Sequence, residues 1–283
     1  FIQSIIMTIA LVVVLGFGTA KAGGFGEVVD NAKNLAGYLS LKDVFSPVTG
    51  TSASYGGVLA IVSTLAWGLG YFGMPHILLR FMAARDEKKL TLSRRVATVW
   101  VVISMGLSIV IGMVGLGMTK AGVLPSLQGA SSETVIVEIA NVLRSNGVLP
   151  AIVAGLILAG ILAATMSTAD SQLLAASSSV SQNLVTDFFK IKMSNKVSVI
   201  VARATVVVIS IIAVFLAWNP DSSVFKIVSF AWAGFGAAFG PVMLLALFWK
   251  RSNMAGALAG MVTGGVMVFL WKYVISKLGG AFA

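Results

Sequence analysis

The sequence predicts an all-α integral membrane protein, and three observations support this fold class. The chain of 283 residues is 58% hydrophobic and only 11% charged, with a mean hydropathy of +0.97, which is far from the composition of a water-soluble domain. Its apolar residues form runs of about 20 or more, long enough to cross a bilayer as helices. Its basic residues lie in the gaps between these runs, a pattern typical of membrane topology rather than of a nucleic-acid-binding surface. We therefore expect the chain to contact a lipid bilayer and no nucleic acid.

Seven membrane spans can be placed along the chain. They cover approximately residues 1–19, 54–83, 96–118, 148–178, 197–218, 223–249 and 255–276. Clusters of glycine, proline, asparagine or charged residues separate them. Two connections are longer, and each contains a predicted short surface helix, Gly26–Leu41 in the first and Ser131–Arg144 in the second. The second helix opens with Ser-Ser-Glu, which is a helix-capping signal.

Lysine and arginine are concentrated in the connections that follow the second, fourth and sixth spans. The positive-inside rule places these connections in the cytoplasm. The predicted location is the plasma membrane, with several passes through the bilayer. Because the sequence begins with Phe1 inside an apolar run, we also expect it to be an internal part of a longer protein that lacks both ends.

The second span contains an irregular stretch, Trp67–His76, which reads W-G-L-G-Y-F-G-M-P-H. Glycine weakens a helix and Pro75 removes a backbone hydrogen bond, so we expect the helix to unwind or kink here. Backbone groups freed at membrane depth can bind an ion or a small solute. Trp67 and Tyr71, four residues apart, would form an aromatic wall. The alternative is a simple proline kink packed by glycines.

The fourth span carries small and hydroxyl residues on one face. Ala164, Ser167, Thr168 and Ser171 follow the helical spacing i, i+3, i+4 and i+7. Hydroxyl groups in lipid need a partner, which another helix, water or an ion would provide. Neutral oxygen ligands suit a small, hard cation that must be released again. The alternative is a small-residue packing face between helices.

The remaining residues argue against an enzyme. The chain has no cysteine and one histidine, and Asp170 is the only acidic residue inside a predicted span. An intramembrane enzyme would need a catalytic pair or a metal-ligand cluster. Asp170 could tune ion affinity or simply reach the cytoplasmic side. The glycine-rich stretch Ala231–Pro241 of the sixth span could act as a gate or pack closely against another helix, and Gly256, Gly260 and Gly264 on the last span predict a helix contact face.

Three segments resemble the sodium/solute symporter family, in particular its bacterial sodium/proline symporters. They are residues 66–84, 161–184 and 228–249, and the resemblance extends over essentially the whole chain. It implies a LeuT-like inverted-repeat fold, in which broken helices surround a binding site near the middle of the membrane. Residues 1–283 would be part of a single transporter domain, containing the last helix of the first repeat, the second repeat and one accessory helix.

The resemblance also implies the ligands of a co-transported sodium ion. Ala164 would provide its backbone carbonyl, and Ser167 and Thr168 would provide hydroxyl groups. The remaining ligands would be carbonyls of the first core helix, which we expect to lie outside this sequence. Ser171 matches a position where some relatives have a second cation site.

For the transported solute, Trp67, Tyr71 and Pro75 match positions that line the substrate cavity of proline transporters. Gly70 and Met74 complete the predicted substrate-binding set. Met74 is a departure, because proline transporters commonly have glutamine at this position.

The predicted function is therefore sodium-coupled import of a small solute by alternating access, with proline as the expected substrate. Within transporters, the alternatives are another amino acid or a small carboxylate. A transporter-like membrane sensor domain and a purely structural membrane protein are alternatives from other functional classes.

Overall fold

The computed structural model describes residues 2–45, 50–54, 57–84, 86–219 and 222–278, and this part of the chain is mostly helical. The α-helices are α1 (Ile2–Lys21), α2 (Phe25–Lys33), α3 (Gly57–Leu65), α4 (Pro75–Met82), α5 (Glu87–Lys120), α6 (Val135–Arg144), α7 (Val148–Ser178), α8 (Asn195–Leu216), α9 (Val224–Phe248) and α10 (Met254–Tyr273). Three 3-10 helices cover Ala66–Gly73, Gly129–Thr134 and Ile275–Leu278, and a π-helix, Ser179–Phe188, continues α7. Two short strands, β1 (Asp43–Phe45) and β2 (Ser52–Ser54), pair with each other.

Six helices of the described residues are long and apolar enough to cross a membrane, against seven predicted spans. They contain α1, α5, α7, α8, α9 and α10. The difference is the predicted span 54–83, which is divided into α3, the 3-10 helix Ala66–Gly73 and α4. The expected interruption of this span is therefore confirmed, and because of it no single helix there reaches the required length.

The connections differ from the predictions in detail. The first surface helix, α2, ends at Lys33 rather than Leu41, and the β1–β2 pair that follows the helix was not predicted. In the second connection a 3-10 helix precedes α6, and the backbone N–H of Gln128 donates to Ser131 Oγ at 2.9 Å. The capping signal at Ser131 thus starts the 3-10 helix rather than α6.

Helix α5 begins at Glu87, nine residues before the predicted span 96–118. The side chain of Asp86 accepts a hydrogen bond from the backbone N–H of Lys88, which caps the helix. Four basic residues of the charged connection that marks the cytoplasmic side in the prediction, Lys88, Lys89, Arg94 and Arg95, therefore belong to the first part of a long helix.

The chain divides into two compact units. The first contains Phe1–Ala53 and Arg85–Asp221, and the second contains Ser54–Ala84 and Ser222–Ala283. In the first unit α1, α2, α5, α6 and α7 enclose a core centred on Val14, Val28, Ile111, Met118 and Ile139. In the second unit α9 packs against both the 3-10 helix Ala66–Gly73 and α10. Many large apolar side chains of the long helices are exposed, as expected for surfaces that contact lipid.

The contact between α9 and α10 depends on Gly264. A Cβ atom built on Gly264 would overlap the carbonyl oxygen of Ala237 and lie 2.6 Å from its carbonyl carbon. The neighbouring Gly265 has no such atom within 4 Å. The prediction of a helix contact face is therefore consistent with this packing.

We predict that Gly264→Ala destabilises the protein by about 1–3 kcal/mol, the usual cost of overpacking, because backbone cannot move aside as a side chain can. Gly265→Ala is the matched control and should leave stability unchanged. Thermal unfolding of the two full-length variants in detergent measures the difference. Equal unfolding temperatures would contradict the close helix approach.

Candidate functional site

The interruption in the second predicted span is a change of backbone geometry at Met74. Residues Ala66–Gly73 form the 3-10 helix, Met74 is extended with φ −92° and ψ 99°, and Pro75 occupies the first turn of α4. Proline suits this position because it needs no N–H donor there. The Met74 carbonyl accepts from the backbone N–H groups of Ile77 and Leu78, both at 3.0 Å. The interruption is thus a defined joint between two short helices.

Two aromatic side chains of this 3-10 helix, Trp67 and Tyr71, pack with two of α9, Phe225 and Trp232, and we call these four the aromatic cluster. The ring of Trp67 stacks on Trp232, with centroids 5.7 Å apart, and on Phe225, with centroids 5.8 Å apart. The ring of Tyr71 meets Trp232 edge-on at 5.3 Å. Trp67 and Tyr71, the predicted aromatic wall, thus both contact Trp232 of α9.

The predicted substrate-binding residues differ in exposure. Gly70 and Met74 are buried, Trp67 is half-buried, and Tyr71 and Pro75 are exposed. Met74 is only 5% exposed, so its thioether is packed inside the protein. Tyr71, at 48% exposure, presents much of its ring at the surface of the second unit.

Trp232 is a candidate residue that the sequence pattern did not single out. Its Nε1 atom is buried and has no hydrogen-bond partner among the described residues. A Cβ atom on Gly70 would overlap Trp232 Cδ1 and lie 2.7 Å from Nε1, so the indole fills the space that a side chain would occupy. Trp232 lies in the stretch Ala231–Pro241, for which the sequence suggested a gate or close helix packing but no contact with a solute.

Helix α9 is continuous from Val224 to Phe248, with Pro241 inside it. Its buried small residues are Gly236, Ala238 and Gly240. A Cβ atom on Gly236 would lie 3.3 Å from Gly70 N, and one on Gly240 would lie 2.9 Å from Leu69 Cβ, so these two glycines pack against the 3-10 helix. Ala238 lies instead against Gly264 of α10, and both contacts agree with the packing interpretation of this stretch.

The predicted sodium ligands lie on α7. The carbonyl oxygen of Ala164 accepts hydrogen bonds from Ser167 Oγ at 3.0 Å and from Thr168 Oγ1 at 3.3 Å. Ser171 Oγ donates to the carbonyl of Ser167 at 3.0 Å. We call the oxygens of Ala164, Ser167 and Thr168 the α7 oxygen cluster. Both hydroxyl oxygens thus lie within 3.3 Å of the carbonyl oxygen of Ala164.

The α7 oxygen cluster remains open for a ligand. Ser167 and Thr168 are exposed, and a hydroxyl oxygen that donates its proton keeps lone pairs for a cation. Asp170, on the same helix, is also exposed. Within the described ranges, no group of three or more His, Cys, Asp and Glu residues could hold a metal ion. Besides the neutral oxygens of the α7 oxygen cluster, this helix therefore carries the carboxylate of Asp170 as an oxygen ligand.

The predicted sodium ligands belong to the first unit and the predicted substrate-binding set belongs to the second. The first set brings oxygens together on one helix turn, and the second brings rings together at an interrupted helix.

Comparison with known proteins identifies similar sequences. The sequence model of the sodium:solute symporter family matches residues 1–264. The chain is 39% identical to the high-affinity proline transporter of Bacillus subtilis over 277 residues, covering 96% of this chain and 54% of that protein. It is 37% identical to the sodium/proline symporter of Escherichia coli over 274 residues, covering 96% of this chain and 51% of that protein. For the sodium/proline symporter of Haemophilus influenzae the identity is 40% over 282 residues, covering 97% and 52%.

The chain therefore spans about half the length of the curated relatives that it matches. No solved structure matches the chain.

Proposed function

Because the chain belongs to the sodium:solute symporter family, we propose that it forms part of a plasma-membrane importer that couples sodium entry to uptake of L-proline. The relatives named above are proline transporters by name. The observation that carries the proposal is the α7 oxygen cluster, in which the hydroxyl oxygens of Ser167 and Thr168 adjoin the carbonyl oxygen of Ala164 on an apolar helix. Such a cluster suits an ion that must bind and leave in every transport cycle.

We further propose that the chain has a LeuT-like inverted-repeat arrangement. In this assignment α1 is the last helix of the first repeat, and α10 is the accessory helix after the second repeat. The interrupted segment α3 to α4 is then the broken first helix of the second repeat. The extended residue Met74, between two short helices, supports this assignment because discontinuous helices form the substrate sites of such transporters.

In the proposed cycle, Ala164, Ser167 and Thr168 bind sodium together with oxygens from the first core helix. Ser171 would serve a second cation. Sodium stabilises the outward-open state, the solute then binds beside Trp67, Gly70, Tyr71, Met74 and Pro75, and the loaded protein opens inward. No bond of the solute is made or broken. Each sodium ion that moves inward contributes about 2.3 kcal/mol of driving force for uptake per 100 mV of membrane potential.

A competing proposal within the same class is another amino acid or a small carboxylate as substrate. The observation that favours it is Met74, whose apolar side chain is buried where proline transporters commonly have glutamine. A polar group that could orient proline is thus absent from that position.

Uptake by the full-length protein in proteoliposomes tests the proposed function. We expect labelled L-proline to accumulate only with an inward sodium gradient, and unlabelled L-proline to compete better than other amino acids or small carboxylates. Stronger competition by one of those solutes would favour the competing substrate. Absence of sodium-dependent uptake of any of them would contradict transport and favour a sensor or a structural protein.

We predict that Trp67→Ala weakens solute binding much more than sodium binding. Trp67 stacks on Trp232 and Phe225, and each such ring pair contributes about 0.5–1.5 kcal/mol beyond the buried apolar area. Without Trp67 these two rings lose their support beside the proposed solute site, so solute binding should weaken. The half-saturating L-proline concentration should rise at least tenfold, whereas the half-saturating sodium concentration changes little.

Trp218→Ala provides the control for Trp67→Ala. Trp218 is 74% exposed and stacks on Phe215 in the first unit. Both half-saturation values should stay near those of the wild type in this variant. Equal effects of the two substitutions would contradict a substrate-binding role for Trp67.

A further inference from the structure

The indole N–H of Trp232 is a hydrogen-bond donor without an acceptor. Its Nε1 atom is buried and unpartnered among the described residues. A buried donor left unpaired is costly, and nearly all such groups in proteins have a partner. A ligand that accepts a hydrogen bond from this N–H would remove that free-energy cost.

The neighbours of Trp232 place this donor at the proposed substrate site. Trp67 covers one face of the indole, Tyr71 meets it edge-on, and the Cα of Gly70 faces its Cδ1–Nε1 edge. These three neighbours all belong to the predicted substrate-binding set. They lie on a 3-10 helix, whose hydrogen bonds are weaker than those of an α-helix, so movement of this segment can uncover the N–H.

The chemistry of the two segments defines what the donor would bind. Residues 57–79 and 227–249 contain no lysine or arginine, so a carboxylate placed between them finds no cationic side chain on either segment. An indole N–H donates and never accepts. Hydrogen bonds to charged acceptors are the strongest ones a neutral donor can make. The ring of Tyr71, which is 48% exposed and meets Trp232 edge-on, attracts the opposite charge, a cationic amine.

We propose that Trp232 Nε1 donates a hydrogen bond to the carboxylate of the transported amino acid, and that this donor is uncovered when the 3-10 helix Ala66–Gly73 moves away from it. The proposal rests on the proposed function and deepens it. It assigns the two ends of the zwitterion: the carboxylate lies at the indole edge of Trp232, and the amine lies against the exposed ring of Tyr71. Trp232 is thus a further substrate-binding residue.

Two replacements at position 232 test the donor in the full-length protein. Trp232→Phe keeps an aromatic ring and removes the N–H. Replacement of Trp232 by benzothienylalanine keeps the size and shape of the indole with sulfur in place of the N–H, so it guards against misfolding of the first variant. Phe230→Leu is the control, because Phe230 lies on the same helix and packs instead against Phe269 and Tyr273.

The measurements are sodium-driven uptake of labelled L-proline and its inhibition by pyrrolidine, which retains the ring and the amine but lacks the carboxylate. We expect both replacements to raise the half-saturating L-proline concentration at least tenfold at saturating sodium. Pyrrolidine should inhibit uptake equally in the wild type and in both replacements, because it has no carboxylate to accept the hydrogen bond. Phe230→Leu should leave both values within twofold of the wild type.

Three results would overturn the inference. The first is a half-saturating L-proline concentration within twofold of the wild type in the benzothienylalanine protein. The second is an equal loss of L-proline and pyrrolidine binding, which would make Trp232 only part of an apolar wall. The third is a wild-type protein without sodium-dependent uptake of L-proline, which alone would also contradict the proposed function.

Discussion

Ser167→Ala and Thr168→Ala should each raise the sodium concentration needed for half-maximal uptake by about tenfold or more. The estimate follows from the loss of one oxygen that contacts a charged partner, an interaction of roughly 1.5–3 kcal/mol. The two hydroxyls donate to the carbonyl of Ala164 in their own helix and are exposed. Their loss should therefore leave folding unaffected, since alanine is the better helix former.

Thr165→Ala is a matched control for these two substitutions. Thr165 is also exposed on α7, and its Oγ1 donates to the carbonyl of Ile161 at 3.0 Å, so it makes the same kind of bond outside the α7 oxygen cluster. Uptake is measured over a range of sodium concentrations, with the membrane level of each variant compared. Thr165→Ala should keep the half-maximal sodium concentration of the wild type, whereas the other two variants should raise it. An unchanged sodium dependence in both Ser167→Ala and Thr168→Ala would refute the ligand assignment and favour the packing-face alternative.

Local sequence signals predicted the two features on which these proposals depend. Pro75 and the glycines before it act within a few residues of the backbone that they disrupt, so the interruption near Met74 could be inferred directly. The α7 oxygen cluster follows from helical spacing alone, because a helix that forms at all must bring residues 164, 167 and 168 to one face.

Features that depend on distant contacts could not be predicted in this way. Trp232 meets Trp67 through packing between segments far apart in the sequence, and nothing in the pattern around Trp232 specifies which ring it faces. The β1–β2 pair has only three residues in each strand, too few to produce a recognisable alternation. The early start of α5 depends on a capping side chain, Asp86, within a charged segment that resembled a loop.

Gly70→Ala should abolish most uptake through displacement of Trp232. The new Cβ would overlap Cδ1 of the indole and lie 2.9 Å from its Cγ, an atom close to the backbone that cannot swing away easily. Trp67 stacks against the same indole, which restricts its escape. Overpacking of this kind costs about 1–3 kcal/mol and moves the rings from their binding positions.

Gly68→Ala is the control for that substitution, because no such atom lies within 4 Å of a Cβ on Gly68, in the same 3-10 helix. It should retain wild-type uptake of L-proline, whereas Gly70→Ala loses it at equal membrane levels. A cycle with Trp232→Ala identifies the cause: once the indole is gone, adding Gly70→Ala should cost no further thermal stability, since the two positions interact directly. If Gly70→Ala lowers stability equally with and without the indole, the overlap with Trp232 is not the reason that this position is glycine.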